Sequence, residues 1–133
     1  MLQKIKYLTT INNDKFLTSY FFHKPSSTVL PVEIKNNNYS AGVTPNIYNT
    51  IQRIFSLLNI NVAGIKLYLY RDGLYYTYIT LHVNENEYDI NSNFSDALKI
   101  GKLFDAPIYA SDQILNYCGI KITKEMIEKN LVS

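Results

Sequence analysis

Val62-Ala63-Gly64-Ile65-Lys66-Leu67-Tyr68-Leu69-Tyr70-Arg71-Asp72-Gly73-Leu74-Tyr75-Tyr76-Thr77-Tyr78-Ile79-Thr80-Leu81-His82-Val83 joins two β-branched and aromatic runs at a turn-forming Arg-Asp-Gly, and it decides the fold. Two turns compete for it. A two-residue Asp72-Gly73 loop pairs Tyr70 with Tyr75 and leaves both faces of the hairpin mixed. A three-residue Arg71-Asp72-Gly73 loop, with Gly73 in the left-handed position, pairs Tyr70 with Leu74. It sorts Ile65, Leu67, Leu69, Tyr75, Thr77, Ile79, Leu81 and Val83 onto one face. Lys66, Tyr68, Tyr70, Leu74, Tyr76, Tyr78, Thr80 and His82 take the other. Because register follows from keeping one face apolar, the pattern favours the three-residue loop.

The rest of the chain arranges itself around that hairpin. Residues 3–11 and 16–22 read as a second hairpin about the turn formers Asn12-Asn13-Asp14-Lys15, and 28–34 as a strand in which Pro31 marks a sheet edge or a bulge. Thr44 followed by Pro45 is a helix start, and Ile47, Ile51, Ile54, Phe55 and Leu58 recur at helical spacing, which predicts a helix over 45–58. A short strand at 87–90 precedes a helix over 94–104. There Phe94, Ala97, Leu98, Gly101 and Phe104 form an apolar stripe, and Ser95, Asp96, Lys99 and Lys102 a polar one. A strand at 107–110 and small helices near 111–118 and 123–130, the last capped by Thr123, complete the chain. With no internal repeat and no linker, the order predicts one α+β domain over 1–133, a mainly antiparallel mixed sheet packed by two or three helices.

At 133 residues and 15.4 kDa the chain has room for one core. Hydrophobic residues make up 47% and charged residues 18%, which argues against disorder, and no apolar run is long enough to cross a bilayer. Residues 1–10 lack the apolar block and cleavage site of a secretion signal, and a lone Cys118 forms no internal disulfide. Both predict a cytoplasmic protein with no membrane partner. Thirteen Lys and Arg against eleven Asp and Glu give +2, far from the basic excess of a protein that lives on phosphates, so charge alone argues for no nucleic-acid partner.

Generic catalytic signatures are missing from the sequence: there is no phosphate-cradling glycine loop, no helical His pair around a Glu, and no Cys pair at metal-ligand spacing. His23 and His82 lie on different hairpins with no acidic neighbour set beside them, and both read as ordinary strand or loop residues.

One stretch says more. Ile90-Asn91-Ser92-Asn93-Phe94-Ser95-Asp96-Ala97-Leu98, followed by Ala106-Pro107-Ile108-Tyr109, resembles the I-D-A-R-P-S-D-A-I … A-P-I-Y run of the bifunctional nuclease domain family, whose members are described as cleaving DNA and RNA. The resemblance covers residues 45–120 well and the first 44 loosely. Ser95-Asp96-Ala97 and Ala106-Pro107-Ile108-Tyr109 stand as in the family, whereas its Asp, Arg and Pro are Asn91, Asn93 and Phe94 here. Leu30-Pro31-Val32-Glu33-Ile34 is similar to the family's L-P-I-W-I strand, but a following Glu-Ala pair has no counterpart in 36–42. The family's T-H-D-L falls on Ile47-Tyr48-Asn49-Thr50, so a His and an Asp become Tyr48 and Asn49.

The resemblance implies a nuclease acting on DNA or RNA, with Mg²⁺ or Mn²⁺ as the possible metal and a self-associating protein, as a dimer. It makes Asp96, Ser95 and Asp89 the catalytic candidates and Asn91, Asn93, Tyr48, Asn49 and Lys99 the substrate contacts; no metal ligand is assigned. Asparagine hydrogen-bonds a phosphate but supplies neither base nor charge, and nuclease chemistry draws on both. Asp89 takes the place of Asn91 only if the strand carries a bulge there; otherwise the two share a face about 6.5 Å apart. Asp96 is also placed, three residues after Asn93, to complete a helix capping box. The alternative function is therefore a silent module that binds nucleic acid or a protein on the same fold. Tyr68, Tyr70, Tyr76 and Tyr78, near Lys66, Arg71 and His82, are placed either to stack unpaired bases or to sit beneath a helix or a second subunit.

Overall fold

Two residues with positive φ, Asp72 at 54° and Gly73 at 77°, turn the central hairpin. Arg71 pairs with Leu74 and Tyr70 with Tyr75, so the loop has two residues and not the three that the pattern favours. The extra residue is absorbed instead at Tyr68, where the register shifts between Leu67 and Leu69. Beyond that bulge Leu67 faces Thr77, Lys66 faces Tyr78 and Ile65 faces Ile79, the register expected from the three-residue loop. The apolar-face argument therefore holds for the rungs from Gly64 to Leu67 and fails at both ends, because the register shifts again between Val62 and Gly64. Tyr70 consequently joins Tyr75 on the buried face, with ring centroids 4.8 Å apart, and leaves the tyrosine group to which the sequence assigned it.

The structure, a computed structural model, describes residues 1–35, 45–123 and 126. Its elements run β1 (Leu2–Asn12), β2 (Phe16–His23), β3 (Thr28–Lys35), α1 (Pro45–Leu57), β4 (Ile60–Arg71), β5 (Leu74–Val83), β6 (Asn86–Ser92), α2 (Phe94–Leu103), β7 (Ile108–Ser111), α3 (Asp112–Cys118) and β8 (Ile120–Lys121). Eight strands form one sheet in the order β6-β5-β4-β7-β1-β2-β3-β8, antiparallel except for β4 beside β7. This is the predicted α+β domain with a mainly antiparallel mixed sheet. Pro31 lies where its strand is nearly an edge, because β8 pairs only with Thr28 and Val29. The two-residue β8 has no periodicity to announce it and was not expected. Thr44 and most of the helix expected over 123–130 lie outside the described residues, although the Thr123 hydroxyl does accept from the Met126 backbone N–H at 3.2 Å.

The core lies between one sheet face and the helices. Ile5, Phe21, Leu30, Val32, Ile65, Leu67, Ile79 and Leu81 meet Phe94, Ala97 and Leu98 of α2 and Ile114 and Leu115 of α3. A side chain at Gly101 would come within 2.8 Å of Ile65 Cγ1, so a glycine lets α2 lie directly on β4. Phe55 packs on Phe104 at 5.4 Å and fixes α1 against the end of α2. No helix among the described residues is long and apolar enough to cross a membrane.

Candidate functional site

The signature residues meet where α2 begins. Asn93 stays extended at φ −70° and ψ 157°, and its side-chain oxygen accepts from the Asp96 backbone N–H at 2.8 Å. It is an N-cap. The Asn93 amide also donates to Asp96 Oδ2 at 2.8 Å, and the Tyr48 hydroxyl, 48 residues earlier in the chain, donates to Asp96 Oδ1 at 2.6 Å. Both carboxylate oxygens are therefore held by the protein's own donors. Burial first, then the bond to Asp96 and that residue's negative charge, push the Tyr48 phenol up to about 12, so it stays a donor at neutral pH. Lys99 sits one turn on, with its ammonium 5.5 Å from the centre of the Tyr48 ring. Ser95 is half-buried beside Asp96, and Asn49 is exposed on α1.

Asp89 and Asn91 belong to a different group. The β5–β6 register runs without a shift from Thr77–Ser92 to Val83–Asn86, so β6 has no bulge that would put Asp89 in the place of Asn91. Asp89 is opposite Thr80 and Asn91 opposite Tyr78, both on the face that the helices do not cover. The Thr80 hydroxyl donates to Asp89 Oδ1 at 2.6 Å and Lys66 lies 3.3 Å from the same oxygen. The Thr80 bond, then the Lys66 ammonium, hold the Asp89 carboxyl below the usual carboxylate range against the opposing effect of burial. Glu33 is exposed on β3, paired with Thr18, and joins neither group. Among the described residues no three His, Cys, Asp or Glu side chains are placed to hold a metal ion.

On that helix-free face the tyrosines form a platform. Tyr68, carried outward by its bulge, stacks on Tyr78 with ring centroids 4.2 Å apart and planes 9° from parallel, and Tyr76 tilts against it at 6.1 Å. A continuous row crosses five strands through Asn91, Tyr78, Lys66, Tyr109 and Lys4. The Tyr109 ring lies over Gly64, where an added Cβ would meet it at 2.9 Å. Tyr109, Lys4 and the Thr80–Asp89–Lys66 cluster escaped the sequence reading, because strand alternation locates a residue on a face without saying which strands become neighbours.

The frame of the signature is thus in place: Asn93 and Asp96 open α2, and Pro107 leads into β7, its carbonyl accepting from the Ile65 N–H at 2.9 Å. Residues 23–123 match the model of the bifunctional nuclease domain family. The chain belongs to the bifunctional nuclease domain family. No curated protein matches it individually. At the helix start of this family member, both oxygens of Asp96 accept from donors of the protein itself, Tyr48 and Asn93.

Proposed function

We propose that this bifunctional nuclease domain binds single-stranded nucleic acid and has given up most or all of the cleavage. Family membership supplies the ligand class. The observation that carries the reading is that both oxygens of Asp96 are occupied, by Tyr48 and Asn93. A metal-assisted step needs several oxygen ligands with positions open to substrate, and a general base needs a free lone pair near the attacked phosphate. The group around Asp96 has one carboxylate where a metal needs several oxygen ligands, so Mg²⁺ or Mn²⁺ does not fit it, and each of its two oxygens already accepts from a donor of the protein itself. Residues 36–44 contain no Asp or Glu to add. What supports binding is the stack of half-buried Tyr68 and Tyr78 beside Lys66, since bases stack on the outer face of an aromatic ring without demanding a strongly basic protein. Self-association is part of this reading. Among the described residues β6 is an open sheet edge, and its Tyr88 and Ile90 are 53% and 46% exposed.

Residual hydrolysis is the second reading, favoured by Ser95-Asp96 standing as in the family signature. The test is end-labelled single-stranded DNA and RNA with Mg²⁺ or Mn²⁺, followed for both retention and cutting, with the chain and Asp96→Ala at equal folded concentration. Binding without cleavage is the expected result. Metal-dependent cutting that disappears in Asp96→Ala would overturn the proposal in favour of a working nuclease.

A further inference from the structure

Among the described residues β6 is the edge of the sheet that nothing blunts. At the opposite edge Pro31 offers no backbone N–H, and β8 already covers Thr28 and Val29. β6 carries no proline and pairs with β5 without a bulge, so one row of its N–H and C=O groups faces outward. Tyr88 and Ile90, opposite Leu81 and Ile79, point to the helix side and are about half exposed. Glu87 and Asp89 point to the other side.

Helix α1 forms a roof beside this edge. Gly101 of α2 faces Ile65 on β4 and Lys102 faces Tyr7 on β1. Asp96 and Phe104, on the other flank of α2, hold Tyr48 and Phe55 of α1, which places α1 on the β6 side of α2. The two helices run in the same direction, because Tyr48 meets the first turn of α2 and Phe55 its end. With Tyr48 and Phe55 turned to α2, the flank about 100° round α1 faces the edge of the sheet. It carries Ile47, Ile54 and Leu58, which are 53%, 47% and 59% exposed. An open strand beside an uncovered apolar helix flank is fitted by one more β-strand, with its apolar residues on the helix side.

We propose that this strand is β6 of a second copy, paired antiparallel about a two-fold axis. Charge sets the register. With Ile90 on the axis, Ile90 meets Ile90 of the second copy, Asp89 meets Asn91 and Tyr88 meets Ser92. Moving the axis to Asp89 or Tyr88 sets Asp89 against Asp89 or Glu87 against Asp89, and like charges directly opposite are destabilising. A shift the other way shortens the overlap, since β6 ends at Ser92. The same patch serves both copies, so the assembly closes as a dimer. The helices of both copies then lie on one side of a continuous sheet, and both tyrosine platforms lie on the other. This inference rests on the self-association proposed above and gives it a place, and retention of nucleic acid does not enter its test.

Sedimentation equilibrium of the full chain at micromolar concentrations reads the mass, and a thiol cross-link reads the place. The chain is expected to be a dimer and Ile90→Lys a monomer with an unchanged circular dichroism spectrum. Leu8→Lys, a similarly exposed apolar position on β1, is expected to remain a dimer. In a Cys118→Ala background, Ile90→Cys sets two thiols on paired strands, about 4.5–5.5 Å apart at Cα, and is expected to give a disulfide-linked dimer on oxidation with diamide. Leu8→Cys is not. A dimer that survives Ile90→Lys, or no cross-link from Ile90→Cys, would overturn the β6 contact and leave self-association standing. A chain that stays monomeric throughout would overturn both.

Discussion

The Tyr48 hydroxyl reaches Asp96 Oδ1 at 2.6 Å and ties α1 to the first turn of α2. A donor to a charged acceptor in a half-buried place contributes roughly 1–2 kcal/mol. Tyr48→Phe keeps the ring under Lys99 and removes only that bond, so a loss of about that size is expected in urea unfolding. Combined with Asp96→Asn in a double-mutant cycle, the two changes should cost less together than their sum by about 1 kcal/mol. Additive losses would mean that the bond contributes nothing. The same pair sets an alkaline limb. Because the folded pKa of Tyr48 is raised, to about 12, its contribution is complete below the ordinary phenol value near 10 and disappears as pH rises through the folded one.

Gly101 tests how tightly α2 lies on the sheet. In an exposed helix, alanine in place of glycine adds up to about 1 kcal/mol of stability. Here the new Cβ would meet Ile65 Cγ1 at 2.8 Å, on a side chain with no exposure, and the clash costs roughly 1–3 kcal/mol. Gly101→Ala should therefore lower the urea midpoint. A raised midpoint would show that α2 has slack against β4.

These two sites also mark the limit of what the sequence discloses. The cap at Asn93 is legible because an N-cap and its first turn are local, and the β5–β6 pairing places Asp89 and Asn91 by alternation alone. The Tyr48–Asp96 bond spans 48 residues and follows from packing of α1 on α2, which no spacing rule reaches. The Asp72-Gly73 turn was missed for a related reason. Hydrophobic faces report which residues lie opposite each other far from a turn, and a bulge at Tyr68 gives the same inner rungs as a longer loop. Site chemistry was legible as residue types, since Tyr48, Asn49, Asn91 and Asn93 are visibly uncharged, but not as the closure of Asp96 by two of them.

Asp89 gives the protein an acid limb with a definite sign. Its folded pKa lies below its unfolded value near 4, so its stabilising effect is present above that value and is lost as pH falls through the folded one. The side chain is 41% exposed, and solvent screening keeps the effect well under about 1 kcal/mol. Stability of the chain measured from pH 6 down to pH 2 should thus fall slightly more steeply than that of Asp89→Asn. Parallel curves would show that Thr80 and Lys66 do not favour the charged form.

If the tyrosine platform holds bases, ring area and not the hydroxyl should matter. Stacking contributes roughly 1–3 kcal/mol per base, so Tyr68→Ala should weaken binding of a labelled oligothymidylate about tenfold or more, while Tyr68→Phe should leave it nearly unchanged. Lys66 is already engaged by Asp89 and the chain carries only +2, so few phosphates are neutralised. For single strands the slope of log affinity against log salt is about −0.7 per phosphate, and a value between about −0.7 and −1.4 is expected here. Tyr88→Ala, on the open edge of β6 and on the helix side of the sheet, should leave oligonucleotide affinity unchanged in the monomer. Equal losses from Tyr68→Ala and Tyr88→Ala, or a slope several-fold steeper, would place the nucleic acid elsewhere on the domain.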